Sequence, residues 1–183
     1  MWSKVKRYIE KYKLLNTNEL YLVALSGGAE LVHSVDSSAK AIELTKQNVE
    51  LNFPDDPRHE AYCEDAFKYL ESVGQSSALT YDLIILDPPA FAKHKDALRN
   101  ALKGYTRLNK KAFEKIQQGG ILFTFSCSQA VNKDQFRAAV FTAAAQAGRN
   151  VRILHQLHQP ADHPINIYHP EGEYLKGLVL YVE

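Results

Sequence analysis

The run Leu83-Ile84-Ile85-Leu86, halted by Asp87-Pro88-Pro89, constrains this chain more than any other stretch. Four consecutive apolar residues suit a strand covered on both faces, as parallel sheets require. Pro88 and Pro89 lack amide donors and fix φ, so the ladder stops and Asp87 is left at the strand's carboxyl end. Open α/β sheets bind their ligands at that edge. Taken alone, the motif reads equally well as an acidic cap closing a strand.

The rest of the chain alternates strand and helix patterns. Trp2, Val5, Ile9 and Tyr12 recur at helical spacing before a short Leu14-Leu15 strand, a polar stretch from Asn16 to Tyr21, an apolar Leu22 to Leu25 and Gly27-Gly28. Leu31 to Val35 reads as a strand ending in Asp36. Ser37 or Ser38 then caps a helix through Asn52, with Ile42, Leu44 and Val49 turned inward, and Pro54 and Pro57 end that unit. Glu60 to Cys63 is a short strand, Glu64 or Asp65 opens a helix through Val73, and a polar loop from Gly74 to Thr80 leads to the opening strand. A long helix follows to about Gln118, closed by Gly119-Gly120. Ile121 to Phe125 is strand, Ala130 to Ala147 helix, Val151 to Leu157 strand and Gly177 to Val182 a last strand. No helix separates the final two, so they pair antiparallel at one edge. The pattern predicts a doubly wound, mostly parallel α/β sheet with an antiparallel C-terminal edge, in one domain spanning residues 1–183.

Charge and cysteine content exclude some classes. The chain has 22 Lys or Arg against 21 Asp or Glu, so bulk charge selects neither nucleic acid nor membrane. The distribution is uneven: Lys93 to Lys115 holds eight Lys or Arg against only Asp96 and Glu114. Within it Lys95, Arg99, Lys103, Arg107 and Lys111 are spaced by four, forming one helical ridge that can follow a phosphate backbone or simply face solvent. Gly104 is a possible interruption of that helix. No apolar run is long enough to cross a bilayer and no signal-peptide pattern opens the chain, so a cytoplasmic protein without membrane partners is expected. Cys63 and Cys127 make no framework and read as reduced thiols. His155, His158, His163 and His169 lack accompanying carboxylate or cysteine spacing, and no metal is expected on them.

Several short motifs then converge. Asp-Pro-Pro-Ala-Phe at 87–91, Tyr105 with Leu108-Asn109, Phe125-Ser126-Cys127-Ser128, Ala161-Asp162-His163-Pro164 and Pro170-Glu171-Gly172-Glu173-Tyr174-Leu175-Lys176-Gly177 lie in one order over nearly the whole chain. Together they resemble the catalytic domain of class I S-adenosylmethionine-dependent methyltransferases, specifically the bacterial 23S ribosomal RNA cytosine-5 methyltransferase I group. Asp-Pro-Pro-x-Phe alone is shared by many base-handling methyltransferases, whereas its combination with Ser-Cys-Ser and the C-terminal block is more specific.

The resemblance implies a Rossmann-like class I methyltransferase fold, S-adenosyl-L-methionine as cofactor, a large-subunit ribosomal RNA partner and a homodimer. It also assigns roles. Cys127 is the nucleophile that attacks C6 of cytosine and makes C5 an enamine carbon, and Asp87 hydrogen-bonds the ring and touches the cofactor. Asp36 and Ser37 would hold the cofactor's ribose, Asp65 and Ala66 its adenine, although Asp36 and Asp65 also suit helix N-termini. Pro88, Pro89, Phe91, Lys93, Tyr105, Asn109 and His163 are the substrate candidates, with Phe91 and Tyr105 possible core residues. Cys127 by itself could be an ordinary buried strand cysteine, and Cys63 is read as one.

Two departures from the family stand out. The stretch from Leu14 to Leu20 is a few residues short and carries no glycine where the family's cofactor loop has it, and the family's N-terminal RNA-binding domains are absent. The competing readings are a base N-methyltransferase in which Cys127 is idle, and a non-catalytic RNA-binding remnant with a degenerate cofactor loop.

Overall fold

A computed structural model describes residues 20–22, 30–76, 80–92, 95–161 and 164–183. The first helix pattern, the Leu14-Leu15 strand, Gly27-Gly28, Lys93 and His163 lie outside those residues. By internal contacts the chain divides into two compact units, Met1–Ile84 and Ile85–Glu183.

The first unit is a parallel sheet. Its elements are β1 (Leu20–Leu22), β2 (Leu31–Asp36), α1 (Ala39–Asn52), β3 (His59–Cys63), α2 (Ala66–Ser76) and β4 (Tyr81–Leu86), whose last two residues belong to the second unit. The strand order is β3-β2-β1-β4, with parallel registers Val32 to His59, Leu20 to Leu31 and Tyr21 to Leu83. β1 falls where the polar stretch from Asn16 to Tyr21 met the apolar Leu22, and only eight residues, 23–30, connect it to β2. Parallel neighbours usually need a crossover of a dozen or more residues, so this connection is short for its topology.

Local chemistry explains α1 and α2. Ser38 is the N-cap of α1, its Oγ accepting the Ala41 amide at 3.3 Å, and Phe53 closes the other end ahead of Pro54. Ile42 is buried but Leu44 is 49% exposed, which corrects the expected inward face. Residues two apart on a helix point about 200° away from each other, so the two cannot share one stripe. Asp65 caps α2 through the Phe67 amide at 3.0 Å and the Lys68 amide at 3.2 Å. That helix runs past Gly74 to Ser76, so the loop is shorter than its polarity suggested. Cys63 is exposed rather than buried, with its thiol donating to the Ser37 carbonyl at 3.8 Å, because it occupies the last position of the edge strand. Under β2, His33 is buried with its Nδ1 2.5 Å from the Tyr69 hydroxyl and 3.1 Å from that of Tyr81.

The second unit continues from the end of β4 in the order β5, β7, β6. It contains a 3-10 turn (Lys95–Ala97), α3 (Leu98–Lys115), β5 (Ile116–Ser126), α4 (Lys133–Gln146), β6 (Val151–Leu157) and β7 (Lys176–Val182). β7 lies antiparallel between β5 and β6, with Ile121 opposite Tyr181, Ser126 opposite Lys176 and Val151 opposite Val182. The antiparallel C-terminal edge expected from the missing helix is therefore present.

Two features needed the tertiary structure. α3 stops at Lys115 rather than near Gln118, and Arg149 from beyond α4 donates through Nη1 to the carbonyls of Phe113 at 3.1 Å and Ile116 at 2.9 Å. A distant guanidinium thus satisfies carbonyls that a helix end leaves without partners. Gly104 does not interrupt α3. A Cβ there would come 3.0 Å from the Phe91 ring, so the glycine makes room for Phe91 against the helix. The buried face of α3 carries Ala101, Tyr105, Leu108, Asn109, Ala112 and Phe113, while Arg99, Lys103 and Arg107 are exposed.

Candidate active site

Asp87, Pro88 and Cys127 come together in the second unit at the ends of β4 and β5. The Cys127 thiol donates to the Pro88 carbonyl at 3.9 Å, and Cys127 itself is only partly buried. β4 ends at Leu86 and the two prolines fix φ just beyond it, so the Pro88 carbonyl lies outside the strand where the thiol reaches it. Asp87 is exposed by overall area, yet protein crowds its carboxyl, and this desolvation pushes its pKa above the usual carboxylate range.

The residues flanking Cys127 are fixed by long-range hydrogen bonds. Ser126 Oγ donates to the Tyr105 hydroxyl at 2.9 Å, and Ser128 Oγ donates to the Ala92 carbonyl at 2.6 Å. The first bond ties β5 to α3. The second ties the Ser-Cys-Ser turn to the segment that follows Asp-Pro-Pro-Ala-Phe, so both serines orient the cysteine between them without competing for its sulfur. Lys176, at the start of β7, donates from Nζ to the Ser128 carbonyl at 2.5 Å. Next to it Gly177 lets β7 approach β5, since a Cβ there would sit 2.6 Å from the Phe125 ring.

The sequence-derived substrate candidates separate into two groups. Pro88, Pro89 and Phe91 lie on the segment beside Cys127 with some surface exposed. Tyr105 and Asn109 are wholly buried, Tyr105 with ring centroids 4.7 Å from Phe91 and 5.3 Å from Phe136. The Asn109 Nδ2 donates to the Tyr105 carbonyl at 2.9 Å, one turn earlier on the same helix. Both therefore support the site from behind. Burial is also what raises the Tyr105 phenol pKa first of all, with the negative forms of Cys127 and Asp87 adding to it.

Sequence reasoning did not single out Lys176 or Arg149 as individuals. Lys176 stood inside the C-terminal block, but nothing in the order of residues shows a lysine at position 176 reaching the carbonyl at 128.

In the first unit, Asp36 and Ser37 are exposed at the end of β2, and Asp65 and Ala66 follow β3. Asp36 Oδ1 accepts the Ser38 amide at 2.6 Å, in the same local manner as Asp65 caps α2. In each case only one carboxylate oxygen is engaged within the described residues, so capping and ligand binding are compatible uses.

Comparison with known proteins agrees with this arrangement. The family model described as S-adenosylmethionine-dependent methyltransferase matches residues 6–175. The chain is 41% identical over 181 residues to the ribosomal RNA large subunit methyltransferase I of Cronobacter sakazakii, covering 97% of this chain and 46% of that protein. Its counterpart in Escherichia coli K12 is 40% identical with the same coverage. The chain thus spans about half the length of the curated relatives it matches. Among solved structures, the methyltransferase SMU.776 complexed with SAH superposes with a TM-score of 0.73 at 25% identity, over 85% of this chain and 40% of that one. The parallel sheet with its antiparallel end, the acids at the strand ends and the match over residues 6–175 lead to one conclusion: this chain belongs to the S-adenosylmethionine-dependent methyltransferase family.

Proposed function

We propose that the chain methylates C5 of a cytosine in large-subunit ribosomal RNA through a covalent Cys127 adduct. The observation that carries this reading is the Cys127 thiol 3.9 Å from the Pro88 carbonyl, beside a desolvated Asp87. A nitrogen methyltransferase needs no thiol there, whereas C5 of cytosine is too poor a nucleophile to react unaided. Addition of the Cys127 sulfur to C6 forms an S–C bond and turns C5 into an enamine carbon that can take a methyl group. Loss of the C5 proton and release of the sulfur then restore the ring. Asp87, with its raised proton affinity, is suited to share a proton with N3 and so draw electrons from C6 as the sulfur adds.

S-adenosylmethionine supplies the electrophilic methyl group. The donor set of the first unit fits its nucleoside: exposed Asp36 and Ser37 suit the ribose hydroxyls, and Asp65 with Ala66 suits the adenine edge. Asp87 is assigned to the cofactor's methionine end as well as to the base. For the RNA, Pro88, Pro89 and Phe91 are assigned to the flipped base, and Lys93 and His163 to the strand around it, with Tyr105 and Asn109 acting through Phe91 and Ser126. A ribosomal target is supported by the 41% identity to a protein named for large-subunit ribosomal RNA methylation.

The test is RNA containing 5-fluorocytosine, incubated with the protein and S-adenosylmethionine. A covalent protein–RNA adduct should accumulate because fluorine cannot leave as a proton does, and it should vanish in Cys127→Ser. Methyl transfer to RNA with no adduct on the fluorinated substrate would eliminate the cysteine route and leave base N-methylation.

A further inference from the structure

We propose that the exposed cations of α3, Arg99, Lys103 and Arg107, form a track for the phosphate backbone of the RNA strand whose base is held beside Cys127. The inference rests on the reading that the chain acts on RNA, and it adds a second contact surface away from the reacting atoms.

Charge distribution is the first observation that carries it. α3 holds six Lys or Arg and one acid, Glu114, whereas α1 has two of each sign, α2 one of each and α4 two cations to one acid. The other helices are therefore close to neutral, and α3 is not. Arg99, Lys103 and Arg107 are four apart and all exposed, away from the face that buries Ala101, Tyr105, Leu108 and Asn109. Each step of four rises about 6 Å and turns about 40°, so the three make an oblique ridge about 12 Å long that a flexible strand can follow.

Stability alone would not place Arg99 in the first turn. A helix start carries partial positive charge, so an acid or a side-chain cap is the favourable arrangement there. α3 has no acid in its first turn and no side-chain cap from Ala97, and the acid nearby, Asp96, stands in the 3-10 turn before it. At the other end ordinary helix chemistry accounts for the cations, since Lys110 pairs with Glu114 and Lys115 meets the negative end. An anionic ligand is what the start of α3 is suited to receive.

The ridge is also fixed relative to Cys127. Lys103 precedes Gly104, where a Cβ would come 3.0 Å from the Phe91 ring, and the next residue, Tyr105, accepts from Ser126 Oγ at 2.9 Å. Lys103 is thus where a strand leaving Phe91 meets the ridge.

The experiment measures binding of a fluorescein-labelled oligocytidine RNA to the full chain by anisotropy across potassium chloride concentrations, with S-adenosylhomocysteine present. Each phosphate contact to a single strand contributes about 0.7 to the slope of log affinity against log salt. Arg99→Gln, Lys103→Gln and Arg107→Gln combined should lower that slope by about 2, and each alone by about 0.7. In methyl transfer the KM for RNA should rise at unchanged kcat. Lys40→Gln, Lys46→Gln and Lys68→Gln combined remove the same charge from α1 and α2 and should leave the slope near the parent's. An equal fall in both triple variants overturns the proposal, because net charge alone would then explain it. So does an unchanged slope in the α3 variants, or a parent that does not bind the strand at low salt. The single variants carry the same test if the triple variant does not fold. The 5-fluorocytosine adduct is scored separately at saturating RNA. An adduct with an unchanged slope sinks the ridge alone, whereas a reduced slope without any adduct in the parent sinks the cytosine reading and leaves the ridge standing.

Discussion

The strand ends of the two units are held in opposite ways. In the first unit, Asp36 and Asp65 are fixed by amides two or three residues away, the ordinary capping chemistry of a helix start. In the second, the residues flanking Cys127 are held from far along the chain: Ser126 by Tyr105, Ser128 by Ala92, and the Ser128 carbonyl by Lys176. A locally held acid is exposed and adaptable, which suits a ligand that arrives and leaves each cycle. On the proposed reading the Cys127 thiol attacks one carbon in one direction, which needs a fixed position, and the converging long-range contacts supply it.

The sharpest way to break this comparison is at the thiol. Cys127→Ser should reduce methyl transfer at least about a thousandfold while leaving the urea midpoint nearly unchanged, because a thiol and a hydroxyl of similar size fill the same partly exposed position. Loss of stability in parallel with activity would mean that the cysteine is structural.

Next in size is the close approach of β7. Gly177→Ala places a Cβ 2.6 Å from the Phe125 ring, and overpacking of this kind costs about 1–3 kcal/mol, read as a lower denaturation midpoint. It should also impair methyl transfer, since the displaced strand carries the Lys176 ammonium that holds the Ser128 carbonyl next to Cys127. By contrast, Asp65→Ala removes a cap and should cost about 1 kcal/mol of stability, with its functional effect confined to the affinity for S-adenosylhomocysteine in calorimetry. If Asp65→Ala instead lowered the alkylation rate of Cys127, the division between the two kinds of strand end would fail.

Coupling provides a finer test. Tyr105→Phe leaves the buried Ser126 hydroxyl without its acceptor, and Ser128→Ala removes the bond to Ala92. Because Ser128 N also donates to Ser126 Oγ at 3.4 Å, the double variant should depart from additivity by about 0.5 kcal/mol or more in chemical denaturation. Strict additivity would mean that the network is a set of separate bonds.

The smallest effects concern pH, and here the two units should respond with opposite sign. His33 has its pKa lowered by burial, partly offset by Glu60 and further lowered by His59. The folded state therefore resists its protonation, and the penalty appears as pH falls below the unfolded value of about 6.5. Asp87 has its pKa raised by desolvation, so its favourable contribution is complete below the unfolded carboxylate value of about 3.9 and is lost as pH rises through the folded value. Asp87→Asn should stabilise the protein at neutral pH relative to the parent, with the gain fading in acid, while methyl transfer falls. His33→Gln should remove part of the acid sensitivity below pH 6.5. Thermal melts across pH check both, and equal behaviour of parent and variants would contradict the assigned environments.

What could be read in the sequence follows the same division. The β4 strand, its stop at Asp87-Pro88-Pro89, the Ser38 start of α1 and the antiparallel final pair were all legible, because each depends on residues within one turn or one strand of each other. The residue pattern does not mark β1 at Leu20–Leu22, because three residues carry too little periodicity to outweigh the polar stretch before them. The helix end at Lys115 was missed because its carbonyl partners come from Arg149, and Cys63 was read as buried because burial of a strand depends on whether another strand covers it.

By itself, then, the sequence determined the alternation of elements, the rigid acid at a strand end and the family resemblance that made Cys127 the nucleophile to test. Only the tertiary structure decided that Tyr105 and Asn109 stand behind the site, and that a buried lysine 49 positions beyond Cys127 shares its corner. Caps and strand stops come from short-range sterics and hydrogen bonds, which one-dimensional order records. Which lysine reaches the Ser128 carbonyl depends on which strands pair and in what register, and that is settled only when the β5–β7 ladder forms.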